Sequence, residues 1–263
     1  MKALTCRIRG VGILGPGLPD WSSARAVLAG SVPHEAVEPA LSPPAALPAN
    51  ERRRTTALVR LALAVAAEAL DGHAGEFASV FASSEGDLFI TDHICRALLM
   101  PERPVSPTLF HNSVHNAPAG YLSIACRNRA PYTSISAVDE TVAAGLLEAV
   151  TQLVTEARDV LLLAYDAPPP EPLKSARPIS GPFGAALLLA PASDAADGPR
   201  LTLEALTGEA SPSVCEVPSL ETLRQTSPSA RILPLLAALA GAAPQTVVLP
   251  ASGGKRLQVT IAP

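Results

Sequence analysis

The chain has no histidine after residue 115, only four cysteines, no excess of positive charge and no long uninterrupted apolar run. Each absence removes a class of function. Cys6, Cys95, Cys126 and Cys215 are far apart and form no CxxC pair, so neither a disulfide framework nor a cysteine zinc site is expected. A formal charge of -4 and a pI near 5.7 lack the electrostatic term that drives nucleic-acid binding. No stretch reaches the roughly 18 apolar residues of a membrane span, and no apolar run of signal length precedes Arg7. A cytoplasmic protein is the expectation. All five histidines, His34, His73, His93, His111 and His115, lie in the first half, which leaves the second half without an imidazole base.

What is present is enough apolar material for a real core. Of 263 residues, 48% are hydrophobic, which suits one large α/β domain or two small ones. The 27 prolines crowd residues 33–48, 167–182 and scattered positions from 212 to 250, marking loops between apolar segments. Residues 3–14 alternate as a first strand, and a short helix is expected over 22–30. "GVGILGPG" fails as a dinucleotide-binding loop because Pro16 falls where a helix should open and the third glycine is misplaced. From Thr55, the residues Leu58, Leu61, Ala62, Val65 and Ala69 share one helical face, with Gly72 as a stop. The preceding Arg52, Arg53 and Arg54 read as a solvated helix entrance, although an acidic carrier protein would also suit them. A buried strand over 77–86, a helix over 87–99 and a helix over 112–127, bent near Pro118, follow. The runs at 159–165 and 184–190 are continuously apolar, as in strands covered on both faces. Strands at 201–207, 246–249 and 257–261 and a helix at 231–241 complete an α/β layered fold.

The segment "YTSISAVDETVAAGLLEA" reads as a strand turning abruptly into a helix, with Val142, Leu146, Val150 and Leu153 forming the buried stripe. A nucleophile is expected at such a corner, yet it holds Asp139 and Glu140. A carboxylate there suits a helix N-cap and the helix dipole, worth on the order of 1 kcal/mol. Ser134 and Ser136 alternate on the strand with no base in view and are expected to pack against a neighbouring strand. His111 and His115 have i, i+4 spacing, but neither an HExxH glutamate nor a third ligand accompanies them, so polar contacts are expected and no metal.

The order "SPTLFHNSVHNAPAGYLSI", "RAPYTSISAVDETVAAGLLEA", "DVLLLAYDAP" and "GPFGAALLLA" resembles the N-terminal half of β-ketoacyl-acyl carrier protein synthases, over roughly residues 3–207. The resemblance implies a thiolase-like fold, helices around a mixed sheet, with a ketoacyl-synthase-like domain at 1–207 and an abbreviated C-terminal extension at 208–263 packing on it. It places the family's nucleophilic cysteine at Asp139, and the family's two later histidines have no counterpart here. This combination resembles the chain length factors of dissociated polyketide systems, and in its short second half those of aryl polyene pathways. The resemblance implies a catalytically inactive subunit, without cofactor, that heterodimerises with an active β-ketoacyl synthase acting on acyl carrier protein. In that reading Leu109 and Phe110 gate the partner's acyl tunnel, with His111, Asn112 and His115 beside them. Two other readings stay open: a stand-alone acyl-thioester enzyme using Asp139 and Glu140, and a homodimeric scaffold that binds acyl groups or acyl carrier protein.

Overall fold

The computed structural model describes residues 3–192, 197–206 and 210–263. Strand β1 (Leu4–Leu14) leads into helix α1 (Trp21–Leu28), whose N-cap Asp20 accepts a 2.7 Å hydrogen bond from the Ser23 N–H. A proline-rich stretch without regular structure follows, ending in a short helix α2 (Ala49–Arg54) and the long α3 (Ala57–Ala69). The middle of the chain runs β2 (Ala78–Ala82), α4 (Leu88–Leu98), α5 (Pro107–His111), α6 (Ala117–Cys126) and β3 (Tyr132–Ile135). A 3-10 turn (Val138–Glu140) joins β3 to α7 (Thr141–Glu156), after which come β4 (Val160–Asp166), α8 (Leu173–Ala176), β5 (Phe183–Pro191) and β6 (Arg200–Leu206). The last segment holds α9 (Pro218–Thr226), a second 3-10 turn (Ser229–Ile232), α10 (Leu233–Ala240), β7 (Gln245–Ala251) and β8 (Lys255–Ala262).

The eight strands of the described residues form one sheet in the order β3-β2-β4-β5-β1-β6-β8-β7. β2 is parallel to both β3 and β4, whereas every other pairing is antiparallel. Helices cover both faces of the centre. Val160, Leu162 and Ala164 of β4 face a core shared with α7, α1, α9 and α10, while Leu161, Leu163 and Tyr165 face α3 and α6. This double cover explains why β4 and β5 read as unbroken apolar runs. At the far end the pattern changes: Leu257, Val259 and Ile261 of β8 alternate with partly exposed residues, because only one face is covered there. The terminal hairpin therefore widens the same sheet.

The glycines of the "GVG" stretch serve packing, not a phosphate loop. They sit on the bulged β1 where α3 lies against the sheet: a methyl group on Gly10 would come within 1.9 Å of the Ala69 carbonyl oxygen, and one on Gly12 within 2.1 Å of that of Val65. Backbone meets backbone, so no side chain fits.

Several expected boundaries shift. The helix expected over 112–127 starts at Ala117, and Pro118 lies in its first turn, where a missing N–H costs nothing, so it opens the helix and does not bend it. Residues 112–116 turn, so His111 and His115 do not share a helix. The strand expected to run through Val138 ends at Ile135, and that expected over 77–86 spans Ala78–Ala82. The expected helix at 231–241 is split into a 3-10 turn and α10. Residue 207, the last of an expected strand, and the expected boundary between 207 and 208 lie outside the described residues.

Candidate functional site

The parallel strands β2, β3 and β4 deliver their carboxyl ends to one corner of the sheet, where ligand sites of open α/β sheets commonly form. The corner is tied together by Asp166, the last residue of β4. Its Oδ1 accepts from the Ser83 hydroxyl (3.1 Å), the Ser84 N–H (2.8 Å) and the Ser84 hydroxyl (3.0 Å). Its Oδ2 accepts from the Ser229 N–H at 2.9 Å. Burial pushes the carboxyl up to about 6 against the opposing pull of those four donors. The Ser136 hydroxyl adds a 2.7 Å bond to the Ser84 carbonyl, linking the β3 end to the β2 end, while the Ser134 hydroxyl is buried without a partner.

At the end of β3 the chain makes the sharp strand-to-helix corner the sequence suggested. Val138 takes it at a φ of +51°, a left-handed conformation that β-branched residues rarely adopt. Asp139 follows directly. Its expected role as helix cap is not what the geometry gives: the bonds at this helix start belong to Thr141, whose hydroxyl oxygen accepts the Ala137 N–H (2.9 Å) and donates to the Val138 carbonyl (2.7 Å). Glu140 occupies the cap position of α7, but its side chain makes no capping bond. The reason is competition from stronger partners. Asp139 Oδ1 lies 3.2 Å from Arg177 Nη1 and Oδ2 lies 3.2 Å from Arg231 Nη2, and charge-assisted pairs outweigh a neutral cap. Arg177 also places Nε 2.6 Å from Glu85 Oε1. Two carboxylates and two guanidinium groups thus alternate as Glu85, Arg177, Asp139 and Arg231 with no net charge among them, and the last three line a pocket of about 220 Å³. None of these partners was legible in the sequence, since Arg177 comes from the proline-rich stretch after α8 and Arg231 from the turn before α10.

The remaining expected site residues lie on or beside α5. Leu109 is partly buried, while Phe110 is 68% exposed and touches no core. Asn112 is buried, donating from Nδ2 to the Arg54 carbonyl (2.9 Å) and accepting at Oδ1 from the Tyr121 hydroxyl (3.0 Å), so it fixes α5 to α2 and α6. His115 places Nε2 3.3 Å from the Ser83 carbonyl, next to the corner, and His111 is exposed at the end of α5. Among the described residues no group of three or more His, Cys, Asp or Glu side chains is placed to hold a metal ion, and no helix is long and apolar enough to cross a membrane.

A mixed sheet with helices on both faces and a strand-to-helix corner at its parallel end is the thiolase-like fold of ketosynthases. The model of the β-ketoacyl synthase N-terminal domain matches residues 20–240, and the chain belongs to that family. Among solved structures it is similar to a chain of the ketosynthase ApeO in complex with its chain length factor ApeC from Xenorhabdus doucetiae, with 23% identity and a TM-score of 0.72 over 98% of this chain and 99% of that one. The ishigamide ketosynthase/chain length factor matches at 16% identity and a TM-score of 0.70, covering 98% of this chain and 99% of that one. The AntDE:AntF structure, a type II polyketide synthase acyl carrier protein in complex with its ketosynthase, matches at 11% and 0.73 with the same coverage. At these identities the likeness is one of fold. Comparison with curated proteins finds no match.

The corner makes a testable statement about its electrostatics. In Asp139→Cys a thiol would face Arg177 and Arg231 at a helix start, and both influences favour the thiolate. It is expected to titrate well below the ordinary thiol value of about 8.5. The measurement is the pH dependence of iodoacetamide alkylation, with the exposed Cys95 as internal reference. A residue-139 thiol that reacts no faster than Cys95 at pH 6 would show that the arginines do not act on that position.

Proposed function

We propose that this chain is a non-catalytic chain length factor that heterodimerises with an active β-ketoacyl-acyl carrier protein synthase and shapes its acyl tunnel, in polyketide biosynthesis of the aryl polyene kind or a fatty-acid-like pathway. The occupant of the corner carries the reading. A family whose condensing members use a cysteine has here a carboxylate held between two arginines, in a chain with no histidine beyond residue 115. Such a carboxylate is a poor acceptor for a thioester acyl group.

The surface supports a partner. Among the described residues β3 ends the sheet and pairs only with β2; Tyr132 on it is exposed, the exposed Val114 and Ile124 line a pocket with it, and Val138 at the corner and Val154 on α7 are exposed as well. An open strand edge set among apolar side chains calls for cover by another chain. Leu109 and Phe110 project from the neighbouring α5, where they can close the far end of a tunnel in that chain by filling its volume. The independent-enzyme reading finds less support, because both oxygens of Asp139 are paired with guanidinium groups and serve the chain's own ion pairs.

Co-expression with a ketosynthase encoded beside it, followed by size exclusion and reconstitution with acyl carrier protein, tests the proposal. A one-to-one complex should form, and condensation should depend on the partner's cysteine. Within that complex Leu109→Ala should leave assembly intact and shift products toward longer chains. Chain extension by the isolated polypeptide would overturn the proposal. A stable homodimer that ignores ketosynthase would favour the scaffold reading, and thioester turnover abolished by Asp139→Asn would favour the enzyme.

A further inference from the structure

Away from the corner, on the α3 face of the sheet, lies a cavity of about 420 Å³ between the end of α2, the start of α3, the start of α4 and α5. Its wall is mostly apolar, formed by Leu58, Leu88, Phe89, Leu109 and Pro168, and two arginines, Arg53 and Arg54, stand on its α2 side. Phe89 is nearly half exposed although it belongs to this wall, and with His93 against its ring at 4.0 Å between centroids the remaining aromatic surface is left open.

The arginine side is held rigid. Asn112 donates to the Arg54 carbonyl, the Thr55 hydroxyl donates to the Arg52 carbonyl at 2.8 Å, and Arg60 Nε donates to the Thr55 hydroxyl at 3.1 Å. Arg52 is turned away, bonding the carbonyls of Ala45 and Leu47. Arg53 reaches only Asn50, a neutral partner, and Arg54 makes one exposed 3.4 Å pair with Glu51, a contact of little strength in water. The one acidic residue in the wall, Asp87, has Oδ1 bonded by the Ile90 N–H and Oδ2 buried without a partner, so two guanidinium groups stand against a single carboxylate there. Two weakly engaged guanidinium groups beside an apolar wall complement a molecule with an anionic head and a hydrocarbon body.

We propose that this cavity binds a medium-chain carboxylate, the hydrocarbon lying against Phe89, Leu88 and Leu58 and the head meeting Arg53 and Arg54. The wall is built from this chain's own residues, of which Leu109 is also the one assigned above to the partner's tunnel. It is separate from the charged corner at Asp139, with which it shares no lining residue.

Isothermal titration of the purified full chain with decanoate, and with decanol as a neutral body of the same length, tests it. Decanoate should bind at least about tenfold more tightly than decanol, since one charge-assisted pair accounts for that factor. Ala57→Trp, which introduces bulk from an exposed lining position, should abolish binding, and so should Thr108→Trp from the opposite wall. The double variant Arg53→Glu, Arg54→Glu should reduce decanoate binding to the level of decanol. Circular dichroism melts separate a blocked cavity from a misfolded chain. Equal binding of the two ligands, unchanged binding in both tryptophan variants, or no binding of decanoate would overturn the proposal, and none of these results bears on whether the chain pairs with a ketosynthase.

Discussion

Replacing Asp166 with alanine should lower stability by about 2–5 kcal/mol, because the N–H groups of Ser84 and Ser229 would be left buried without an acceptor. The loss also removes one acceptor that joins three segments: the β2 end, the β4 end and the turn before α10. Asp166→Asn should cost less, since one acceptor oxygen remains, although its amide would point a donor at another donor. Urea unfolding of the three proteins orders them, and an alanine variant as stable as the parent would refute the role. The same group sets a pH dependence. Its carboxyl is raised in the folded state from 3.8 to about 6, so the folded chain holds its proton more tightly than the unfolded chain does. The associated stabilisation is full below the unfolded value and is lost as pH rises through 6, amounting to about 3 kcal/mol across the window. Glu68 is raised by burial and acts in the same direction, so the quantity to measure is the difference between the parent and Asp166→Asn from pH 4.5 to pH 7. Glu221, lowered to about 2 chiefly by its bond to Arg224, works in the opposite sense but mostly below that window. A difference that does not change with pH would show that Asp166 is not the titrating group.

Gly12→Val should destabilise by about 3 kcal/mol or more, at the upper end of overpacking costs, because the obstacle is backbone. The Val65 carbonyl at 2.1 Å belongs to the middle of α3 and cannot swing aside as a side chain would. The helix has to lift off β1, loosening Leu61, Val65 and Ala69 together. Gly12→Ala should already lose much of this, since the first carbon makes the clash. Equal urea midpoints for Gly12→Ala and the parent would refute the close approach. A control at Gly254, where nothing lies within 4 Å, should be affected only through its positive φ of 70°.

Much of the fold was legible because its signals are local. The stripe of α3 and that of α7 repeat at helical spacing, and β4 and β5 are apolar throughout because both faces are covered. Helix α9 escaped because only Leu220 and Leu223 of its nine residues are buried, too few to set a period. Helices α2, α5 and α8 are only four to six residues long and owe their shape to neighbours, as when Asn112 fixes the end of α2. The site divides in the same way. The corner and its aspartate followed from a run of adjacent residues, whereas the arginines that hold the carboxylate are distant in sequence and meet it only through the fold. The left-handed Val138 was invisible for the opposite reason, since its residue type argues against that conformation.

The alternating charges at the corner also limit what position 139 can hold. A neutral side chain at position 139 would strand Arg231 without the Asp139 carboxylate and leave Arg177 with Glu85, so a replacement has to bring negative charge of its own, as a thiolate would. The ion pairs thus act as a filter on that position: they accommodate an anion and penalise an uncharged substitute.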